Sequence, residues 1–273
     1  MFLTRNKAGL IGSFDKQVSG VYNLDQVQIG RVHNLWALPP DSLLLHLDAN
    51  SKYYGEPNVF NVILNTAHGF NNYESSNVTY VSSTSTSLCY YSFNGTNGVL
   101  NPQTPLNGND DFDWTQSVWF YSTSSSGRKI FGYEEVRQGT TAASYDKHLA
   151  HSINGKLVWG QWTGALRFMS SNTTVTINNW HHAVITYDYT NNRAGMWLDG
   201  VFQTSITSIR GQDSTRFLRF GGYGMGTNWR VTGPNLNNGY FSGNVSIFSM
   251  WQKVLTTSEI LQVFAAHRGL HGI

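Results

Sequence analysis

The sequence predicts an all-β fold in which antiparallel strands form a two-layer sandwich. The run 180–188 alternates strictly and places Ala183, Ile185 and Tyr187 on one face of a strand. A helical pattern occurs only near the C terminus, so helices contribute little to the predicted core. Turn signals recur at short spacing, as hairpins require: Asn94-Gly95, Asn154-Gly155 and Asp199-Gly200.

The composition indicates a neutral, polar surface around a well-supplied core. The 273-residue length suits one large β-domain, and 40% hydrophobic with 14% aromatic residues can fill its interior. Charged residues make up only 12%, against roughly 25% in an average soluble domain. The net charge of +2 without a basic run argues against nucleic-acid binding. Cys89 is the single cysteine, which excludes an intrachain disulfide and a cysteine metal site.

Residues 1–40 are predicted to form an extended arm that precedes a folded domain at 41–273. Pro39 and Pro40 favour an extended hinge between the two. We expect the arm to lie on its own domain or on a neighbouring molecule and to act in assembly. Its apolar residues fall in patches too short to build a core: Leu10, Ile11, Phe14, Val21, Tyr22, Leu35 and Trp36.

The sequence carries no recognised export or membrane signal. The start, from Met1 to Lys7, lacks the apolar stretch of a signal peptide. No apolar run approaches the ~18 residues that span a bilayer. We therefore expect synthesis in a cytoplasm, without membrane insertion.

Strand-like runs follow one another from residue 43 onward. In the run 113–121, Trp114, Gln116, Val118 and Phe120 alternate onto one side. The large aromatic residues expected to be mostly buried are Trp180, Tyr187, Trp197 and Phe248. The predicted strands are 43–49, 79–81, 88–93, 113–121, 129–133, 148–153, 157–162, 166–168, 180–188, 194–198, 201–204, 217–222 and 241–251.

One short helix is predicted at 257–266. Thr256 and Glu259 have the spacing of a capping box, in which each residue's side chain satisfies a backbone N–H of the other. Ile260, Val263 and Phe264 form the stripe that should face the sandwich.

These elements resemble, in order, a known kind of domain. The run 180–188 followed by 196–200 resembles the core meander of laminin-G-like, concanavalin A-like jelly rolls. Each match is degenerate alone, but the ordered set from 41 to 268 is specific and implies an antiparallel jelly-roll β-sandwich. Further similar runs are LLLHLDA at 43–49, YSFNGTNGVL at 91–100, FLRFGG at 217–222 and LTTSEI at 255–260.

The arm carries a second resemblance. The stretches GVYNLDQVQ at 20–28 and NLW at 34–36 resemble the short lead-in before such domains in tailed-phage structural proteins. This resemblance implies a virion component in which the arm contacts other proteins.

Residues suited to catalysis or metal binding occur without the spacing that those functions need. His181 and His182 are adjacent and face opposite sides of a strand. Glycosidases of similar fold carry alternating acids on one strand, and no Glu-x-Asp-x-Glu pattern is present. Glu134-Glu135 would face both ways, and the acids at 110–113 suggest a turn. We therefore expect no catalytic residues and no enzyme activity.

No cofactor or metal is expected on these grounds, although calcium stays open. Asp188, Asn191 and Asp199 are the oxygen-bearing candidates for a calcium site. Asp and Asn also form turns without any ion, which explains the same three residues.

Aromatic side chains are the remaining candidates for recognition. The chain has nine Trp and fourteen Tyr, more than one core needs. Trp159, Trp162, Tyr223 and Trp229 lie in or beside glycine-rich segments and are predicted ligand or interface residues. They would stack on sugar rings or pack in a protein interface, and we favour the interface.

The sequence thus favours a non-enzymatic structural protein of a tailed-bacteriophage virion. It would be a capsid decoration (cement) protein or a tail or fibre component, with other virion proteins and copies of itself as partners. The alternative is a carbohydrate-binding, lectin-like module at a receptor-binding fibre tip that recognises host surface glycans. Both place the protein in the virion after synthesis in the host cytoplasm.

Overall fold

The fold is a sandwich of two antiparallel β-sheets with one helix packed on the outside of one sheet. It is seen in a computed structural model that describes residues 39, 42–49, 59–60, 62–65, 73–82, 88–102, 105–107, 111–125, 127–134, 145–211, 215–222, 236–237 and 239–273. The predicted all-β sandwich is confirmed. Within these residues no helix is both long and apolar enough to span a membrane.

The first sheet is called the front sheet. Its strands are β1 (Leu43–Asp48), β3 (Val62–Asn65), β5 (Val78–Ser82), β6 (Cys89–Asn94), β9 (Trp114–Ser122), β14 (Trp180–Asp188), β15 (Arg193–Leu198), β16 (Val201–Thr207) and β18 (Ser242–Trp251). Their main order is β16-β15-β14-β9-β18-β1-β3, with β14 and β9 near the centre, and the β5–β6 pair joins through β18.

The second sheet, called the back sheet, faces it across the core. Its strands are β2 (Val59–Phe60), β4 (Tyr73–Ser76), β7 (Val99–Pro102), β8 (Leu106–Asn107), β10 (Arg128–Glu134), β11 (Tyr145–His151), β12 (Lys156–Trp162), β13 (Leu166–Thr174) and β17 (Thr215–Gly221). Their order is β13-β12-β11-β10-β17-β7-β4-β2, with β8 paired to β17.

The core between the sheets follows the alternation read from the sequence. Ala183, Ile185 and Tyr187 of β14 face inward, as do Trp114 and Phe120 of β9. The ring of Tyr187 stacks on that of Trp114 with centroids 5.4 Å apart. Tyr187 and Phe248 are fully buried, which confirms two of the four burial predictions.

The other two residues predicted to be mostly buried, Trp180 and Trp197, are only partly buried. They are partly exposed because both point to the outer face of the front sheet and not into the core. Strand alternation puts Trp197 beside Val184, opposite in direction to Met196.

The helix covers part of that outer face. Helix α1 (Thr257–Arg268) begins at the predicted capping box, in which the Thr256 side chain accepts from the Glu259 N–H. Ile260 and Val263 pack against Val184 and Trp251 of the front sheet. The third residue of the predicted stripe, Phe264, is partly exposed.

The N-terminal arm lies outside the described residues except for Pro39. The carbonyl of Pro39 accepts a hydrogen bond from Trp251 Nε1 at 2.8 Å, so the chain enters the sandwich next to α1. The seven apolar arm residues, from Leu10 to Trp36, are among those not described.

Candidate functional site

The four predicted recognition aromatics have different positions. Trp159 is fully buried, with its ring 5.9 Å from that of Trp114, so its proposed role in contacting a ligand is wrong. It shares the inward face of β12 with Leu157, and the alternation of that strand decides its direction. Trp162, at the end of the same strand, is 37% exposed. Tyr223 and Trp229 lie outside the described residues.

The oxygens of the candidate calcium residues are engaged within the protein. Asp188 accepts hydrogen bonds from Asn191 N at 2.8 Å and from Asn191 Nδ2 at 2.6 Å, which closes a turn. These bonds hold the pKa of Asp188 below its usual value. Asp199 accepts from His181 Nδ1 and from the His182 N–H, both at 2.7 Å. In the described ranges, no group of three or more His, Cys, Asp or Glu is placed to hold a metal.

The histidine pair faces opposite sides, as predicted. The ring of His181 lies 5.9 Å from Phe120, on the inward side of β14. His182 bonds Ser117 Oγ through Nε2 at 2.7 Å on the outer side. The two rings therefore belong to separate environments.

The predicted non-catalytic carboxylates have structural contacts. Glu134 is fully buried and forms an ion pair with Lys129. Asp113 Oδ1 accepts from the Tyr189 N–H at 2.8 Å. Asp111 is exposed, and Glu135 is not described.

One recess in the described structure lies on the outer face of the front sheet. We call it the outer groove; its volume is about 320 Å³, at the lower end of the range for small-ligand pockets. Strands β14 to β16 form its floor, and the segment entering α1 forms one wall. Its lining residues are Thr186, Asp188, Arg193, Gly195, Trp197, Phe202, Ser205, Val254 and Thr257.

Two aromatic side chains form the apolar part of the groove. The rings of Trp197 and Phe202 meet edge to face, with centroids 5.1 Å apart. Phe202 is 49% exposed, because it follows the turn at 199–200 on edge strand β16. The indole of Trp197 lies over Gly195, where an added Cβ would come within 2.9 Å of it.

Polar groups with both charges line the rest. Arg193 and Asp188 are directly paired across β15 and β14. Arg193 donates to Ser205 Oγ at 2.9 Å, which holds the guanidinium against the floor. Its positive charge also contributes to the lowered pKa of Asp188, so that carboxylate is ionised at neutral pH.

Sequence reasoning missed this groove, although part of the signal was present. Val201 and Phe202 are consecutive apolar residues after a hairpin turn. Because consecutive strand residues point to opposite faces of a sheet, at least one of the two must lie on the outer face. The wall formed by Val254 and Thr257 comes from a segment more than fifty positions away, and only the folded chain brings it to Trp197.

Comparison with known structures shows the fold. The binding domain of Paraclostridial mosquitocidal protein 1 matches with a TM-score of 0.58 at 15% identity, over 83% of this chain and 52% of its own. The Trypanosoma rangeli sialidase in complex with sialic acid matches with a TM-score of 0.58 at 14% identity, over 85% of this chain and 34% of its own. The chain thus spans about half of the first protein and about a third of the second, and identities this low establish a common fold alone.

Comparison of sequences identifies the family. No curated protein matches the chain. The profile of the concanavalin A-like lectin/glucanases superfamily matches residues 93–261, which is more than half of the 273 residues. This range runs from β6 into α1 and includes every lining residue of the outer groove. The chain therefore belongs to the concanavalin A-like lectin/glucanases superfamily.

Proposed function

We propose that the protein is a non-enzymatic binding module and that its outer groove holds a saccharide. The observation that carries this proposal is the combination, in one recess, of the exposed Phe202 and the partly exposed Trp197 with charged and hydroxyl side chains. An aromatic face offers apolar area to the C–H face of a sugar ring. The polar groups around it bond ring hydroxyls and fix orientation.

The charges of the groove favour a neutral saccharide. Arg193 supplies donors, and the ionised Asp188 supplies acceptors beyond those used by Asn191. The two opposite charges offset each other, so the groove has no excess charge to select a strongly acidic or basic ligand. Hydroxyl groups, which both donate and accept, fit such a pair.

The absence of enzyme activity is part of the same proposal. Glycoside hydrolysis uses two carboxyl groups on either side of the scissile bond. In the outer groove Asp188 is the only carboxylate among the described lining residues. A single ionised carboxylate can bind hydroxyls but cannot act as both acid and base.

We place this module in the virion of a tailed bacteriophage, as a capsid decoration protein or a tail or fibre component. Support comes from the arm's resemblance to phage lead-in segments and from the neutral polar composition. Saccharide binding in such a particle would attach it to glycans on the host surface.

Binding can be tested by calorimetry against neutral oligosaccharides built on glucose, galactose, mannose and N-acetylglucosamine, with sialylated counterparts. We expect Phe202→Ala to weaken binding by about 5- to 30-fold, which corresponds to about 1–2 kcal/mol. The matched control is Trp162→Ala, which removes another exposed aromatic side chain, on β12 of the back sheet and outside the lining of the groove, and should leave affinity unchanged.

Two results would overturn the proposal. One is loss of binding in the Trp162 variant with retention in the Phe202 variant, which would move the site to β12. The other is release of shorter products from any oligosaccharide by the purified protein, which would make it an enzyme.

A further inference from the structure

Four histidines are buried between the front sheet and the C-terminal segment. Strands β1 and β14 contribute His46 and His182, helix α1 contributes His267, and His271 follows the helix. All four are 5% exposed or less, although histidine is fully buried less often than the apolar residues are. We call these four residues the histidine layer.

Three strand serines hold the layer in place. Ser249 bonds Nδ1 of His46 at 2.8 Å, and Ser117 bonds Nε2 of His182 at 2.7 Å. Ser246 bonds Nε2 of His271 at 2.5 Å. These bonds connect the rings to strands β9 and β18. The helix and the C-terminal tail (269–273) are thus joined to the front sheet by polar contacts as well as apolar ones.

The bonding of His271 determines which tautomer its neutral form takes. Its Nδ1 lies 2.9 Å from the His267 carbonyl oxygen, which can only accept, so Nδ1 carries the hydrogen. Its Nε2 then accepts from the Ser246 hydroxyl without needing a second proton. The ring also stacks on Trp119 with centroids 3.9 Å apart and planes inclined by 8°.

We propose that the histidine layer is an acid-sensitive clasp, which holds α1 and the C-terminal tail on the front sheet while its rings are neutral and releases them when the rings are protonated. The clasp depends on the burial of several imidazoles in one contact. Protonating one ring charges the immediate surroundings of the next, as between His46 and His267, whose ring centroids are 6.5 Å apart.

The charged groups near the layer that the structure describes come from β1 and from the helix. From β1, Asp48 acts on His271 and favours its charged form. On the helix, Glu259 pairs with Lys253, and Arg268 lies over the ring of Phe264. Within the described ranges, Asp48 is thus the carboxylate that favours a charged ring in the layer, and it acts on His271.

The direction of the pH effect follows from burial. Desolvation lowers the pKa of His182 well below its usual value and that of His271 to about 3, with neighbouring histidines adding to both effects. In the released state both rings regain an ordinary pKa near ~6.5. The stability of the docked state relative to the released state is therefore greatest above pH ~6.5, and it decreases as the pH falls below that value.

The size of the effect follows from proton linkage. For each such histidine, the ratio of released to docked protein rises by up to about tenfold per pH unit below ~6.5. At pH 5 this amounts to about 30-fold for one histidine and about 1,000-fold for two. The apolar contacts of Ile260 and Val263 oppose release and set its absolute level.

Release would also change the outer groove, since Thr257 at the start of α1 forms part of its wall. This consequence rests on the proposed saccharide function, whereas the clasp itself does not. The test below therefore uses no ligand, so that failure of one proposal is distinguishable from failure of the other.

The experiment is amide hydrogen exchange of the full chain between pH 7.5 and pH 5, corrected for the intrinsic pH dependence of exchange. We expect protection of peptides from 257–270 to fall by up to about 1,000-fold over this range, while β9 at 114–122 keeps most of its protection. His271→Gln, at the chain's end, should reduce the fall by about 30-fold. His182→Gln serves as a second variant with the same expected direction.

The matched control is His151→Gln. Burial lowers the pKa of His151 to about 4, and its ring bonds Ser122 on the inward side of the sandwich, away from the helix. This change should leave the pH dependence of helix exchange as it is. Two results would overturn the clasp. One is an equal loss of protection in the helix and in β9 as the pH falls. The other is a pH dependence of helix protection that is the same in His271→Gln and His182→Gln as in the parent protein.

Discussion

The indole of Trp197 lies directly over Gly195, close enough that a Cβ at position 195 would come within 2.9 Å of the ring. The same Cβ would approach Thr186 Oγ1 to 3.1 Å. Glycine at this position therefore leaves room for the indole that lines the outer groove.

Gly195→Ala should both destabilise the protein and weaken saccharide binding. The added methyl group must displace the indole, and overpacking of this kind costs about 1–3 kcal/mol. Urea unfolding measures the first effect and calorimetry the second. The control is Gly269→Ala, where a Cβ meets nothing within 4 Å and the backbone is helical. Equal stability of the two variants would contradict the packing of Trp197 described here.

Trp159 and Trp162 should differ sharply although they lie three residues apart. Trp159→Ala removes a fully buried ring from the core and should cost about 3–5 kcal/mol in unfolding free energy. Trp162→Ala changes an exposed position and should stay within about 0.5 kcal/mol of the parent. Chemical denaturation of both variants decides the direction of each side chain, and similar losses would contradict the inward assignment.

The Lys129–Glu134 ion pair offers a test of how buried charges act in the back sheet. Burial lowers the pKa of Lys129 well below its usual value, and the nearby Arg219 adds to this effect. Glu134→Gln leaves the ammonium without its anion and should cost about 3–5 kcal/mol. Lys129→Met combined with Glu134→Gln removes both charges and should be less destabilising than Glu134→Gln alone. With Lys129→Met as the second single variant, a loss in the double variant equal to the sum of the two single losses would show that the pair is not coupled.

Much of the fold could be predicted because strand alternation is a local property. The inward set Ala183, Ile185 and Tyr187 and the capping box at Thr256 both follow from spacing within a few residues. Trp159 was misplaced because its neighbouring glycine suggested a loop, although its alternation with Leu157 already indicated the core.

The sites could not be predicted, since each joins distant segments on the outer face of the front sheet. The outer face of a sandwich is usually in contact with solvent, so polar residues there are expected to be exposed. The sequence therefore gives no indication that some of them are buried under α1. His46, His182 and His271 are far apart in sequence, and only the docking of α1 brings them together. The wall of the outer groove depends on the same docking.

Deleting residues 1–38 should leave a folded domain that no longer assembles. Pro39 keeps its bond to Trp251 in this variant, so the point of entry into the sandwich is preserved. Ordering an arm costs about 1–2 kcal/mol per residue in backbone entropy, which burial on a partner must offset. A thermal melt and an assay of incorporation into particles measure the two properties. Normal incorporation of the truncated protein would show that assembly does not need the arm. Loss of folding would show that the arm belongs to the core of the sandwich.

The most direct test of a saccharide site in the outer groove is a titration followed through the tryptophan indole N–H signals by NMR. The chain has nine Trp, and Trp197→Phe assigns the signal of interest. Addition of a neutral oligosaccharide should shift the Trp197 signal in proportion to occupancy, leave the Trp162 signal in place and yield no cleaved sugar. A shift at Trp162 with none at Trp197 would contradict the assignment of the groove as the binding site.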